Sequence, residues 1–246
     1  MAGAPFSSTA EPPMNRAWTN RLRIAMDRYL PLVVRDNRVL MYPLFYVWYK
    51  GRNVSKLMEF KAAAPHLSDE EFAKVYQDVD CPAQDRPTDL SPGGVKHILE
   101  SLDPHSRTLL DVGCGRGFLV EQVQQAGYEV SGCDLFSENP LKNAPYRQAS
   151  VEKLPYNDQE FDIVVCSHTL EHVRQLPEAI AELKRVARKQ LIVALPCQKY
   201  FRYTFDLHLH FFTQGEEVKR LFQLPDAEIR NIEGDWIYIA RLATQP

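Results

Sequence analysis

The densest chemistry in the chain lies in LLDVGCGRGFL, residues 109–119, where Gly113, Gly115 and Gly117 alternate behind an apolar run that carries Asp111. Without Cβ atoms the backbone turns tightly and a ligand approaches within contact distance. A second acid, Asp134, follows Gly113 by 21 positions at the end of another apolar run. A carboxylate there is placed to accept hydrogen bonds from both hydroxyls of a ribose. Glycine turn plus acid points to an adenosine-type cofactor, an arrangement shared by sites for NAD, FAD and S-adenosylmethionine. The spacing is G-x-G-x-G, not the G-x-G-x-x-G that seats a pyrophosphate on a helix N-terminus. Asp111 adds a sign to the argument, because an acid tolerates a cationic ligand far better than an anionic one. A cofactor carrying an amino group and a sulfonium fits this stretch; a pyrophosphate fits badly.

These residues need elements to position them. From about residue 91 the texture alternates: VKHILESL reads as a helix, TLLDVG as a buried strand, FLVEQVQQAG as a helix closed by Gly127, and YEVSGCDL as a second strand. FDIVVCSH is a third strand, LPEAIAELKRVAR a helix with a basic last turn, and QLIVALP another strand. AEIRNIEGDWIYIARL reads as two strands around Glu233-Gly234-Asp235, an antiparallel hairpin that completes the sheet. The expected fold class is α/β: a Rossmann-like, doubly wound, mostly parallel sheet with a C-terminal antiparallel strand pair and an N-terminal helical extension. Residues 1–14 are expected to be a flexible N-terminus and 15–90 a helical, aromatic and basic lid or acceptor-binding extension. Residues 91–246 form the main domain, with CPAQDRPTDLSPGG (81–94) as a linker before it. Ser68 with Glu71 three positions on marks a capped helix start.

With three motifs in order, the chain resembles the class I S-adenosylmethionine-dependent methyltransferases, in particular their large small-molecule group of the methyltransferase type 11 kind. LLDVGCGRGFL is similar to the first motif of that family and GCDL to its ribose-binding acid. ASVEKLPYNDQEFDIVVCSHTLEHV is similar to the segment that crosses the adenine pocket and the fourth strand. The likeness covers about residues 95–240. It implies S-adenosyl-L-methionine as cofactor, with Asp111, Gly113, Cys114, Gly115 and Ser167 around the methionine moiety and Asp134 on the ribose. It also implies Leu135 packed on adenine, with Ser150 and Val151 meeting the adenine amino group where the family commonly has an acid. The family's glycine pair before the fifth strand is missing, since ARKQ leads straight into LIVALP.

Methyl transfer to a hydroxyl needs alignment, exclusion of water and removal of a proton. Histidine is the usual base near neutral pH. His168 and His172 follow the fourth strand; His208 and His210 follow the fifth. His168 directly succeeds FDIVVCS and His208 lies in DLHLHFFT, so these two are the candidate catalytic bases. Glu171 and Asp206 are potential helpers. The H-x-H pair His208/His210 shares a face if DLHLHFFT is a strand. Such a pair can bind metal, but no third ligand is apparent, and no metal is expected.

The acceptor is expected to be a small molecule, a hydroxyl of a lipid, glycan or natural-product intermediate. Ten Lys and Arg against four acids make residues 1–61 basic within a chain of net charge −3, so the remainder is acidic. That acidic main domain disfavours nucleic acid as a partner, and Ser167-His168-Thr169-Leu170 replaces the Asn/Asp-Pro-Pro-aromatic motif of base amino methylation. An RNA or protein methyltransferase is the second reading and a non-catalytic cofactor-binding module the third. The aromatic piece VLMYPLFYVWYKG makes residues 15–61 a candidate for contact with a peripheral membrane or a lipid-linked substrate. The N-terminus lacks a basic-then-apolar pattern, no apolar run reaches the length of a span, and the five cysteines include no CxxC. A reduced, cytoplasmic setting is the expectation.

Overall fold

The computed structural model describes residues 21, 25–26, 29–78, 86–136, 138–203 and 205–242. The expected flexible N-terminus, residues 1–14, and Cys81 lie outside the described residues. Seven strands form one sheet: β1 (Thr108–Val112), β2 (Glu129–Asp134), β3 (Tyr146–Gln148), β4 (Phe161–Ser167), β5 (Ala187–Pro196), β6 (Ala227–Ile232) and β7 (Asp235–Arg241). Their order across the sheet is β3-β2-β1-β4-β5-β7-β6. The first five run parallel, and β7 pairs antiparallel with both β5 and β6. Glu233 and Gly234, both at positive φ, turn β6 into β7, the geometry of a two-residue hairpin.

Strands buried on both faces read as continuous apolar runs, and β4 (FDIVVCS) and the body of β5 do so. Side chains of successive residues point to opposite faces. Leu109, Ile163 and Ile192 therefore enter one core with Ile98 and Val123, while Leu110, Val164 and Leu191 enter the other with Leu183 and Phe222. Helices α5 (Pro92–Ser101) and α6 (Phe118–Gln125) cover the first face; α7 (Leu176–Val186) and α8 (Gly215–Phe222) cover the second.

The helix expected at Val95 begins earlier. Ser91 accepts from Gly94 N at 3.0 Å, and Pro92 supplies the first helical position without a donor to strand. Two short elements carried no clear sequence signal: β3, three residues at the sheet edge, and α8, which buries only Val218 and Phe222. The segment DLHLHFFT does not form a strand. Leu207 turns at φ 55°, and Leu209 N and His210 N both donate to Glu171 O, at 2.7 and 3.0 Å. Its amides are thereby used on a loop instead of a ladder.

Before the sheet stand the helices α1 (Leu32–Arg35), α2 (Arg38–Trp48), α3 (Val54–Ala63) and α4 (Asp69–Asp78). The capping arrangement at α4 is present, with Ser68 N donating to Glu71 Oε2 at 2.9 Å and Glu71 N to Ser68 Oγ at 3.2 Å. Helices α2, α3 and α4 share a third core of Met41, Phe45, Tyr49, Leu57, Met58, Phe60 and Phe72 that takes in Tyr203 and Leu207 from beyond β5. Phe45 lies with its ring centroid 4.4 Å from that of Phe205, and Tyr49 Oη donates to Phe205 O at 2.7 Å. The two distant segments thus close over the carboxyl edge of the sheet as a roof. Phe45→Ala leaves a cavity at a fully buried position, and its expected cost is about 3–5 kcal/mol. Chemical denaturation of wild type and variant measures it.

Candidate cofactor and acceptor site

The strand order reverses between β1 and β4, and a crevice opens at the carboxyl ends of such strands. Gly113, Gly115 and Gly117 lie there at φ 73°, 51° and 81°. Gly113 N and Cys114 N both donate to Cys133 O, at 2.8 and 3.1 Å, so the turn hangs from the end of β2. A Cβ on Gly113 would come within 2.0 Å of Thr169 Oγ1, whereas one on Gly115 would meet nothing within 4 Å. Gly113 is therefore required by packing, and Gly115 faces open space. Backbone amides fix Asp134: Gly115 N donates to Oδ2 at 2.8 Å and Leu135 N to Oδ1 at 2.7 Å.

Asp111 is 1% exposed and its Oδ1 has no hydrogen-bond partner. Burial, with the charge of Asp134 adding to it, raises its pKa to about 7. Burial likewise raises Asp134, opposed by the amides of Gly115, Leu135 and Phe136. A buried carboxylate left without a donor is costly, and a cationic ligand would supply what it lacks. The cleft has a volume of about 1130 Å³ and is lined by Asp111, Gly113, Cys114, Gly115, Asp134, Leu135, Ser150, Val151, Ser167, His168 and His208. The structure thus brings together every residue singled out from the sequence as cofactor-binding or catalytic. Ser150 Oγ accepts from Glu152 N at 3.2 Å, which leaves its hydroxyl proton to donate. The donor and acceptor set fits S-adenosylmethionine: an unpaired anion for its cationic end, a fixed carboxylate for its ribose.

The two candidate bases differ in charge. His168, at φ 49°, sits between two buried carboxylates, with Nδ1 3.3 Å from Glu171 Oε1 and Nε2 3.2 Å from Asp235 Oδ1. Burial alone would depress its pKa, but the adjacent carboxylates of Asp235 and Glu171 outweigh that and raise it to about 10. Burial would raise Glu171, and the histidine neighbours instead bring it to about 2. His168 is thus an imidazolium at neutral pH and has no lone pair to offer. His208 is the reverse case, lowered to about 4 chiefly by burial. Its Nδ1 lies 2.6 Å from Gln198 Oε1. An amide oxygen only accepts, so Nδ1 carries the proton and Nε2 keeps the lone pair.

His210 parts from His208: its Nε2 lies 2.9 Å from Val173 O. The three groups that do converge are Glu171, His172 and His208, whose ligand atoms lie within 4.8 Å of one another. That spacing would admit a metal ion, although the His168 imidazolium already gives Glu171 a counter-charge. Sequence reasoning missed the roof residues that line the cleft, among them Phe72, Tyr76, Phe201, Tyr203 and Phe205. Their only signal was the density of aromatics in the two segments. Tyr76 Oη donates to Leu207 O at 3.2 Å, and the Arg174 guanidinium lies 4.9 Å over the Phe72 ring while donating to Leu67 O.

Residues 110–195 match the family model described as Methyltransferase domain. The chain is 37% identical over 97 residues to a Ubiquinone biosynthesis O-methyltransferase of Pseudomonas fluorescens, covering 35% of this chain and 41% of that protein. The chain thus matches less than half the length of that curated relative. Among solved structures, a SAM dependent methyltransferase from Aquifex aeolicus aligns with a TM-score of 0.51 at 18% identity, over 71% of this chain and 98% of the other. One from Archaeoglobus fulgidus aligns with a TM-score of 0.52 at 16% identity, over 60% and 91%. At these identities the structural likeness concerns the fold.

Pairing of a cationic cofactor with Asp111 would make its binding pH-dependent. A cation that pairs with the carboxylate must displace its proton below pH about 7, so affinity for S-adenosylmethionine is expected to fall as pH drops. The limiting slope is about tenfold per pH unit. Calorimetry between pH about 5.5 and 7.5 measures it, and Asp111→Asn should bind weakly with no such slope.

Proposed function

We propose that this chain, whose residues 110–195 match the Methyltransferase domain model, is a class I, S-adenosylmethionine-dependent enzyme that methylates a hydroxyl of a small molecule seated under the aromatic roof. The observation that carries the reading is the continuity of one cleft from Asp111 and Asp134 to Phe72, Phe205 and His208. The cofactor supplies an electrophilic methyl group on a sulfonium. In this reading Asp111 pairs with the amino group, with Gly113, Cys114, Gly115 and Ser167 around it, and Asp134 receives the ribose hydroxyls. Leu135, Ser150 and Val151 hold the adenine. The name of the Pseudomonas relative supports oxygen as the accepting atom. Residues 15–90 serve as the acceptor-binding extension. The roof's rings and the Arg174 guanidinium suit an acceptor with a flat apolar body and an anionic substituent.

His208 is the proton acceptor in this reading. Its lone pair is free at every pH above about 4, and Asp206 Oδ2, 3.5 Å from Nδ1, stabilises the charge once the proton arrives. His168 is a positioning residue, a fixed cation that holds the loop after β4. Incubation of the full chain with methyl-labelled cofactor and a panel of phenols, catechols and sugar alcohols tests the reaction, with RNA and protein as competing acceptors. His208→Ala is expected to lower kcat about 10²- to 10⁴-fold while calorimetry shows unchanged cofactor affinity. At saturating cofactor, wild-type kcat should show no imidazole limb between pH about 5 and 8. A variant turning over at the wild-type rate would remove His208 from the chemistry, and absence of cofactor binding would remove the whole reading.

A further inference from the structure

Helix α2 buries one narrow stripe. Met41, Phe45 and, one position past its end, Tyr49 enter the roof core, with Trp48 half-buried beside them. The remainder of the helix is apolar as well: from Val39 to Tyr49 the sequence VLMYPLFYVWY contains no charged or amide side chain. Val39, Leu40, Tyr42, Leu44, Tyr46 and Val47 stand exposed, Val39 and Val47 each at 78%. At about 100° per residue these positions sweep from Tyr42 round to Leu44, just over half the circumference. Leu32 and Val33 of α1, the latter 80% exposed, and Tyr29 add to them. A helix apolar on all sides is normally covered on all sides, and monomeric proteins seldom show so large a bare patch.

The charges around the patch say what covers it. Arg38 precedes the apolar run and Lys50 and Arg52 follow it, within a segment 1–61 that has ten basic residues against four acids in a chain of net charge −3. Cations at both ends of the apolar face would meet the phosphates of a negative surface that the helix approaches. A second copy docked about a two-fold axis would set this basic rim against itself. Arg38 pairs with Glu59 at 2.8 Å, but both side chains are more than half exposed, and such pairs are weak. Among the described residues no helix is long and apolar enough to cross a membrane; an apolar face flanked by cations is instead suited to lie along the interface. Tyr42 and Tyr46 have the amphipathic rings suited to headgroup depth.

We infer that the outer face of α1 and α2 docks on an anionic phospholipid bilayer, with its apolar side chains at the acyl–headgroup boundary and its flanking cations on the lipid phosphates. Trp48 on the same helix lines the cleft, so docking seats the acceptor site at the bilayer surface. The inference does not rest on methyl transfer, and its test does not measure it.

The test is flotation of the full chain with vesicles of phosphatidylcholine alone and of phosphatidylcholine with about one third phosphatidylglycerol. Wild type is expected to float with the anionic vesicles and to bind neutral ones about tenfold more weakly, with the difference shrinking in high salt. Val39→Glu with Val47→Glu, both at exposed positions, should lower partition about tenfold or more while the melting temperature and cofactor affinity hold. Lys50→Glu with Arg52→Glu gives a second readout should the first pair fail to fold, and should abolish the preference for anionic vesicles. Three results would overturn the inference: wild type remaining below the gradient with anionic vesicles, the variants floating as wild type does, or a non-floating wild type whose dimer the Val39/Val47 pair dissolves.

Discussion

One imidazole ring between two buried carboxylates ties the molecule together. The His168 imidazolium bridges Glu171, on its own loop, and Asp235, at the first residue of β7. Each carboxylate passes the constraint on through other atoms. Asp235 Oδ2 accepts from Ser91 N, the cap of α5, and the backbone oxygen of Glu171 receives both Leu209 N and His210 N from the roof. The end of β4, the C-terminal hairpin, the first helix of the main fold and the cover of the cleft therefore meet at one imidazole ring. Removal of one partner from such a cluster leaves an uncompensated buried charge, so its members must be kept as a set.

Charge in the cleft follows from who has a partner. Glu171 is as buried as Asp111, yet its pKa lies near 2 because histidines face it, while that of Asp111 lies near 7 because only another acid does. Burial is common to both; the sign of the neighbour decides the outcome. His168 and His208 repeat the contrast with opposite sign, one held as a cation by carboxylates and the other kept neutral beside an amide. The fold has thus arranged a fixed charge, a lone pair and an unpartnered carboxyl group along one channel before any ligand arrives.

Much of this was legible in the chain because its causes are local. The glycine turn, Asp134 at the end of β2 and the apolar runs of β1, β4 and β5 are written in neighbouring residues, and the hairpin turn in Glu233-Gly234. The protonation of His168 was not, since Asp235 reaches it only once β7 has paired with β5. The same holds for DLHLHFFT, whose alternation reads as a strand until Glu171 O captures its amides. The roof was the hardest part to read, because the aromatic residues near position 45 name no partner. Their partners near 205 become visible only when the sheet places both segments over one edge.

That separation bears on how the molecule is made. Tyr49 and Phe205 are joined by a hydrogen bond that spans 156 positions of sequence, and contacts so distant form late because a long loop must close before they are rewarded. During synthesis the N-terminal helices leave the ribosome while residues 201–207, which complete their core, are still untranslated. For that interval both sides of α2 are bare, the stripe later buried against Phe205 and the face that stays exposed. The aromatic segment that roofs the finished cleft therefore spends its synthesis with its whole circumference uncovered.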